Sequence, residues 1–165
     1  LNLLTTQTSL IYSVMVLDGF EAITIARSAA HQQTDRVNPY GLHLGNGLPA
    51  HATSAGKILL AYLDLEEQKK WLEKYPLKRL TKFSCTDNVV FLKILEEIKE
   101  QDWCYSSEEH ELGVHALAVP IHGPKGNVIA ALNIVSPTVK TTKEYLVQQI
   151  MPLLLETARE LRNVI

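Results

Sequence analysis

Glu108-Glu109-His110, with His115 five residues on, is the densest run of groups in this chain that could move a proton or hold a metal. Adjacent carboxylates split their pKa values when both are held in one dry site, and can then act as acid and base. Neighbours on a strand point to opposite faces, so a pair that fixes a loop or caps a helix is the favoured reading. His110-Glu-Leu-Gly-Val-His115 is one residue too long for the zinc-protease motif, and on a helix or a strand its two rings diverge. His43, His51, His110 and His115 show no close ligand spacing, so no metal is expected. Ser106-Ser107 and Ser136-Pro137 lack the setting of an activated nucleophile. No catalytic residue and no cofactor is expected, although an enzyme using Glu108 or Glu109 with a histidine stays as a rival reading.

Binding chemistry is better represented. In His51-Ala-Thr-Ser-Ala-Gly-Lys-Ile-Leu-Leu-Ala-Tyr-Leu63, Thr53 and Ser54 are good helix starters, and Ile58, Leu59, Tyr62 and Leu63 recur at helical spacing. The unpaired N–H groups of a first helical turn favour an anion, and Ala52, Ala55 and Gly56 leave room beside the backbone. The alternative is a plain cap with small residues serving close helix packing. Two nucleotide motifs fail here. Gly56-Lys57 lacks the Gly and Ser/Thr of a phosphate loop, which fall at His51 and Ile58, and Gly45-Asn-Gly47 meets Ala50 where a third glycine belongs.

These residues need a scaffold. Residues 1–8 read as the end of a helix. Ser9 to Leu17 and Phe20 to Arg27 alternate as strands around an Asp18-Gly19 turn, residues 29–40 form a connector, and a third short strand is expected around Gly41 to Asn46. Asp64-Leu-Glu-Glu67 opens a second helix that ends before Pro76. Thr86-Asp87 opens a third, with Val90, Phe91, Ile94, Leu95 and Ile98 as its apolar stripe. Cys104 lies in a strand-like run, and His115–His122 and Val128–Val135 are two more strands joined by a Gly-Pro turn. Thr141-Thr-Lys-Glu144 caps a last helix towards Val164, which Pro152 should kink. Strands gathered in runs and helices grouped together specify an α+β fold with an antiparallel sheet of about six strands flanked by helices.

The chain has 165 residues, 46% of them hydrophobic and 21% charged, enough for one core with a modest cavity. With 16 basic and 18 acidic residues and no basic run, it offers no nucleic-acid surface of its own. No apolar stretch is long enough for a membrane span, and no signal peptide is legible. Cys85 and Cys104 read as buried thiols of a cytoplasmic protein. The start at Leu1 is expected to mark a fragment.

Three blocks in order resemble one family: Leu48-Pro-Ala-His-Ala-Thr-Ser-Ala-Gly-Lys-Ile-Leu-Leu-Ala61, Tyr105-Ser-Ser-Glu-Glu-His-Glu-Leu-Gly-Val114, and Ala116-Leu-Ala-Val-Pro120 with Ala130-Ala-Leu-Asn-Ile-Val-Ser-Pro137. They are similar to the effector-binding domain of isocitrate-lyase-regulator (IclR) transcription factors, over residues 9–165. The resemblance implies a GAF-like, non-enzymatic domain that senses a small catabolite, a carboxylate or sugar acid. It would control transcription, as in a repressor, through a winged helix-turn-helix reached by residues 1–8, so that DNA is a partner only through that domain. It also implies a homo-oligomer, dimer or tetramer. Pocket positions carried over from the family fall on Ser54, Ala55, Ser106, Ala116, Asn133 and Val135, to which the cap residue Thr53 is added. A pure oligomerisation module is the remaining alternative, suggested by the amphipathic final helix.

Overall fold

The computed structural model describes residues 1–8, 10–28 and 44–164. Helix α1 (Asn2–Thr8) leads into β1 (Tyr12–Asp18) and β2 (Glu21–Arg27), and β3 (Gly47–Pro49) follows. A 3-10 turn (Ala50–Ala52) feeds α2 (Ser54–Ala61), then α3 (Leu65–Lys74) and α4 (Asn88–Gln101). Strands β4 (Cys104–Ser107), β5 (Val114–His122) and β6 (Val128–Pro137) precede a composite C-terminal helix. That helix comprises α5 (Lys143–Tyr145), a π turn (Leu146–Ile150) and α6 (Met151–Leu161). The six strands form one antiparallel sheet in the order β3-β2-β1-β6-β5-β4.

Local chemistry sets most of the boundaries. The β1–β2 hairpin turns on Gly19 and Phe20, one residue later than expected, with Gly19 at φ 59° as a two-residue turn requires. Asp64 caps α3 in a full capping box with Glu67, and Asp87 caps α4 through the Val90 N–H. The expected third strand around Gly41–Asn46 is displaced. Residues 29–43 lie outside the described residues, 44–46 form a turn, and β3 begins at Gly47, where Glu21, Ala22 and Ile23 offer pairing partners. On α4 only Phe91, Leu95 and Ile98 are buried, and Val90 is exposed because it lies in the first turn, at the edge of the stripe. The last helix is capped by Thr142, not Thr141, and Pro152 sits in the first turn of α6, directly after the π turn. The strain expected at Pro152 is taken up by the π turn just before it.

Both faces of the sheet are covered. Tyr12, Val14, Leu117, Val119, Ile121, Leu132 and Ile134 pack with Leu4 of α1 and with Leu146, Ile150 and Leu154 of the C-terminal helix. On the other face Met15, Ala118 and Ala131 meet Ile58, Leu59, Phe91 and Leu95 of α2 and α4. Among the described residues no helix is long and apolar enough to cross a membrane.

The tightest joint is where the 3-10 turn folds onto α2. A Cβ on Gly56 would lie 2.2 Å from the Ala50 carbonyl oxygen and 2.4 Å from its Cα, both backbone atoms that cannot swing away. Gly56 is therefore required by close approach, with no unusual φ involved. Gly56→Ala should lower stability by about 1–3 kcal/mol, as overpacking does. Urea unfolding checks this; an unchanged midpoint would show that the turn can shift.

Candidate functional site

The register of four strands builds one wall of a cleft. Ser106 pairs with Ala116 and Ala116 with Val135; one row deeper, Cys104 pairs with Ala118, Ala118 with Asn133 and Asn133 with Ser13. These side chains share the α2 face of the sheet and are short, whereas the opposite face carries Leu, Val and Ile. Side chains this short do not fill the layer beneath the start of α2, and space is left there. A cleft opens there between Met15, Ser106, Ala116, Asn133 and Val135 on the sheet, Ala52, Thr53 and Ser54 at the start of α2, and the loop and strand start from Glu108 to His115.

At the mouth of α2, the Thr53 side chain accepts from the Gly56 N–H at 3.2 Å and completes an N-cap. Ser54 follows. Its hydroxyl is buried, lines the cleft and has no hydrogen-bond partner. A buried hydroxyl without a partner costs about 1–3 kcal/mol, so its presence at a helix N-terminus facing empty space calls for a ligand or water.

The loop after β4 closes the other side, and it is stapled. Glu108 takes φ 59°, a conformation unfavourable for a side-chain-bearing residue. Its Oε1 accepts the Gly113 N–H at 2.9 Å and its own N–H donates to the Val114 carbonyl at 2.8 Å. The Thr81 hydroxyl donates to the Glu108 carbonyl, and the Ser84 hydroxyl donates to that of Glu109 at 2.7 Å. Glu109 Oε2 accepts from both the Lys57 ammonium and the Ser106 hydroxyl. Both carboxylates are thus fixing a loop, and neither is held as a free acid or base.

Other titratable groups are arranged for burial. His51 Nε2–H donates to the Lys78 carbonyl at 2.8 Å, leaving Nδ1 buried without a partner. Burial lowers the His51 and His115 pKa values below 6.5, against smaller upward pulls from the Lys78 carbonyl at His51 and from Glu108 at His115. Burial pushes the Cys104 thiol up to about 11, opposed by nearby Lys57. Among the described residues no three potential ligands converge on a metal position, and His43 lies outside them.

Of the residues singled out from sequence, Thr53, Ser54, Ser106, Ala116, Asn133 and Val135 come together around the cleft. Ala55 does not line it, because its side chain points into the core against α2's neighbours. The Asn133 side-chain oxygen accepts from the Ser13 hydroxyl, which gives that oxygen a partner within the sheet. Met15, Leu48, Ala52, His110 and Val114 also line the cleft and were not anticipated. Alternation along β1 puts Met15 on the face of Ser13, but only the β1–β6 pairing reveals that this face meets Asn133.

The model of the family described as bacterial transcriptional regulator IclR, C-terminal, matches residues 1–163. The chain belongs to the IclR family. It is 79% identical over 165 residues to the Pca operon regulatory protein of Acinetobacter baylyi, covering 100% of this chain and 59% of that protein. To the p-hydroxybenzoate hydroxylase transcriptional activator of the same species it is 54% identical over 166 residues, covering 100% of this chain and 61% of the relative. The chain thus spans about three fifths of the length of these curated relatives. Among solved structures, the inducer-binding domain of a double mutant of the Acinetobacter transcription factor PobR, in complex with 3-hydroxybenzoic acid, superposes with a TM-score of 0.96 at 55% identity, covering 100% of this chain and 94% of that one. As an IclR-family C-terminal domain the chain has the expected α+β sheet, and the relatives are named as transcriptional regulators.

Two outcomes follow from this geometry. Glu109→Ala strands the Lys57 ammonium, whose side chain is 4% exposed, and should cost about 3–5 kcal/mol; Lys57→Met/Glu109→Leu should recover most of the loss in urea unfolding, and equal losses would mean the pair is not the cause. For the histidines, a folded pKa below the unfolded one means the unfolded chain binds more protons between the two values. Their contribution is present above pH 6.5 and is lost as pH falls below it. The slope of stability against pH in that acid range should flatten in His115→Gln; an unchanged slope would refute it.

Proposed function

We propose that this domain is a non-enzymatic sensor whose cleft binds a small aromatic hydroxycarboxylate and thereby regulates DNA binding by an attached domain. The observation that carries it is the buried, unpartnered Ser54 hydroxyl at the start of α2, opening on a cleft walled by short side chains. The first-turn N–H groups and that hydroxyl hold the carboxylate, with a helix-start contribution of about 0.3–1 kcal/mol before direct hydrogen bonds. Ala116, Val135 and Met15 provide the apolar walls a ring needs, and Ser106 and the Glu108–Val114 loop supply polar groups for its hydroxyls. The acid bound by the PobR domain and the enzyme named for the activator support an aromatic acid over a sugar acid within the carboxylate class.

Sensing is favoured over catalysis because Glu108 and Glu109 are engaged in holding the loop. In this reading α1 is the end of a helix from a DNA-binding domain, the regulator is a cytoplasmic homo-oligomer, and DNA contact belongs to that other domain.

Calorimetry and thermal shift with benzoate, 3-hydroxybenzoate and 4-hydroxybenzoate test the site. A ligand at a hundred times its Kd stabilises by about 2.7 kcal/mol, which raises Tm by several degrees in a domain of this size. Ser54→Glu should abolish that shift through volume and like charge, and because the position is buried it should also lower the unliganded Tm; Ser54→Ala should keep the unliganded Tm and weaken binding. Retained affinity in Ser54→Glu would overturn the site.

A further inference from the structure

Behind the cleft wall, on the opposite face of the sheet, lies a polar chain centred on His115, which also borders the cleft. His115 sits in the row Ser107–His115–Ser136, next to the cleft row Ser106–Ala116–Val135. Its Nδ1 is 2.9 Å from the Tyr105 hydroxyl and its Nε2 is 2.7 Å from the Thr141 hydroxyl, which donates to Ser136 Oγ at 2.8 Å. The directions are forced. Thr141 has one hydroxyl proton and spends it on Ser136, so it accepts from His115 Nε2–H, and Nδ1 then accepts from Tyr105. One neutral imidazole thereby ties β4, β5 and β6 to the loop before the last helix.

Thr141 leads into that helix. The next residue, Thr142, caps α5, and the π turn follows, whose Leu146 and Ile150 pack in one cluster with Leu4 of α1 and Leu10. A surface groove lined by Thr8, Leu10, Thr141, Thr142 and Tyr145 runs along this joint. α1 is fastened to the sheet nearby, where the Thr8 and Tyr12 hydroxyls are 2.7 Å apart.

We infer that His115 and Thr141 act as positioning residues that convey occupancy of the cleft to the α5–π segment and through it to α1. A ring seated against Ser106, Ala116 and Val135 bears on the same short strand ends whose reverse face carries Tyr105, His115 and Ser136. Displacement of those ends moves Thr141, the only residue of that chain outside the sheet, and with it the start of the helix that Thr142 caps. The inference rests on the ligand-sensing reading above.

Thr141→Val removes the hydroxyl at constant shape, and Thr141→Ser restores it. In the full-length regulator, hydrogen exchange is followed over residues 2–8 and 141–150, with and without 3-hydroxybenzoate and 4-hydroxybenzoate. Without ligand, Thr141→Val should speed exchange in both segments at least several-fold, leave α2 to α4 unchanged, and be rescued by Thr141→Ser. With ligand, Thr141→Val should keep its affinity within about twofold while losing the exchange change at residues 2–8. Binding with an undiminished change at residues 2–8, or unliganded exchange equal to wild type, overturns the coupling. If neither acid binds the wild type, the ligand assignment fails, and the unliganded exchange pattern decides the coupling by itself.

Discussion

A lysine whose side chain is 4% exposed must have an anion beside it, and much of the site's shape follows from how that need is met. Lys57 lies one turn into α2, too deep to reach water, so its partner comes from the far side of the cleft. Glu109 crosses over, bringing with it the strained Glu108 and the Thr81–Ser84 contacts that hold the loop. The ion pair thus sets the distance between α2 and the loop after β4, and the cleft is the space left between them. Backbone strain at Glu108 is tolerated because three separate hydrogen bonds over-determine its position.

The two faces of the sheet divide the labour. Toward α1 and α6 the strands present large branched side chains that make a dry core. Toward α2 the same strands present Ser13, Ala116, Ala118 and Asn133, which are too small to fill the layer at the sheet edge. Deeper in, α2 and α4 compensate with Ile58, Leu59, Phe91 and Leu95. Near the loop nothing compensates, which is why empty space collects at Ser54.

Much of this was legible in the chain. The Asp64–Glu67 capping box, the apolar repeat of α4 and the run of strands near the C-terminus are local patterns, and each formed close to its expected place. The six cleft residues were also reachable, Thr53 from its cap chemistry and the others through resemblance. What stayed hidden is non-local. Nothing in Ser13 announces that it will satisfy Asn133, and nothing in Ala55 says that its neighbour Ser54 takes the cleft while it takes the core. The π turn before Pro152 was not legible, because a proline is visible in sequence and a register slip in the turn preceding it is not.

The pairing of β1 with β6 governs when the site can exist. Ser13 and Asn133 are 120 residues apart, and theirs is a central seam of the sheet. Closing so long a loop is entropically costly before any contact repays it, so strand pairing of this kind forms slowly. On a translating ribosome β1 and β2 emerge with their hairpin but with half their partners still unmade, and α2 finds only part of the sheet it covers. The cleft is therefore among the last features of this domain to assemble, because it has no complete wall until β6 has joined β1.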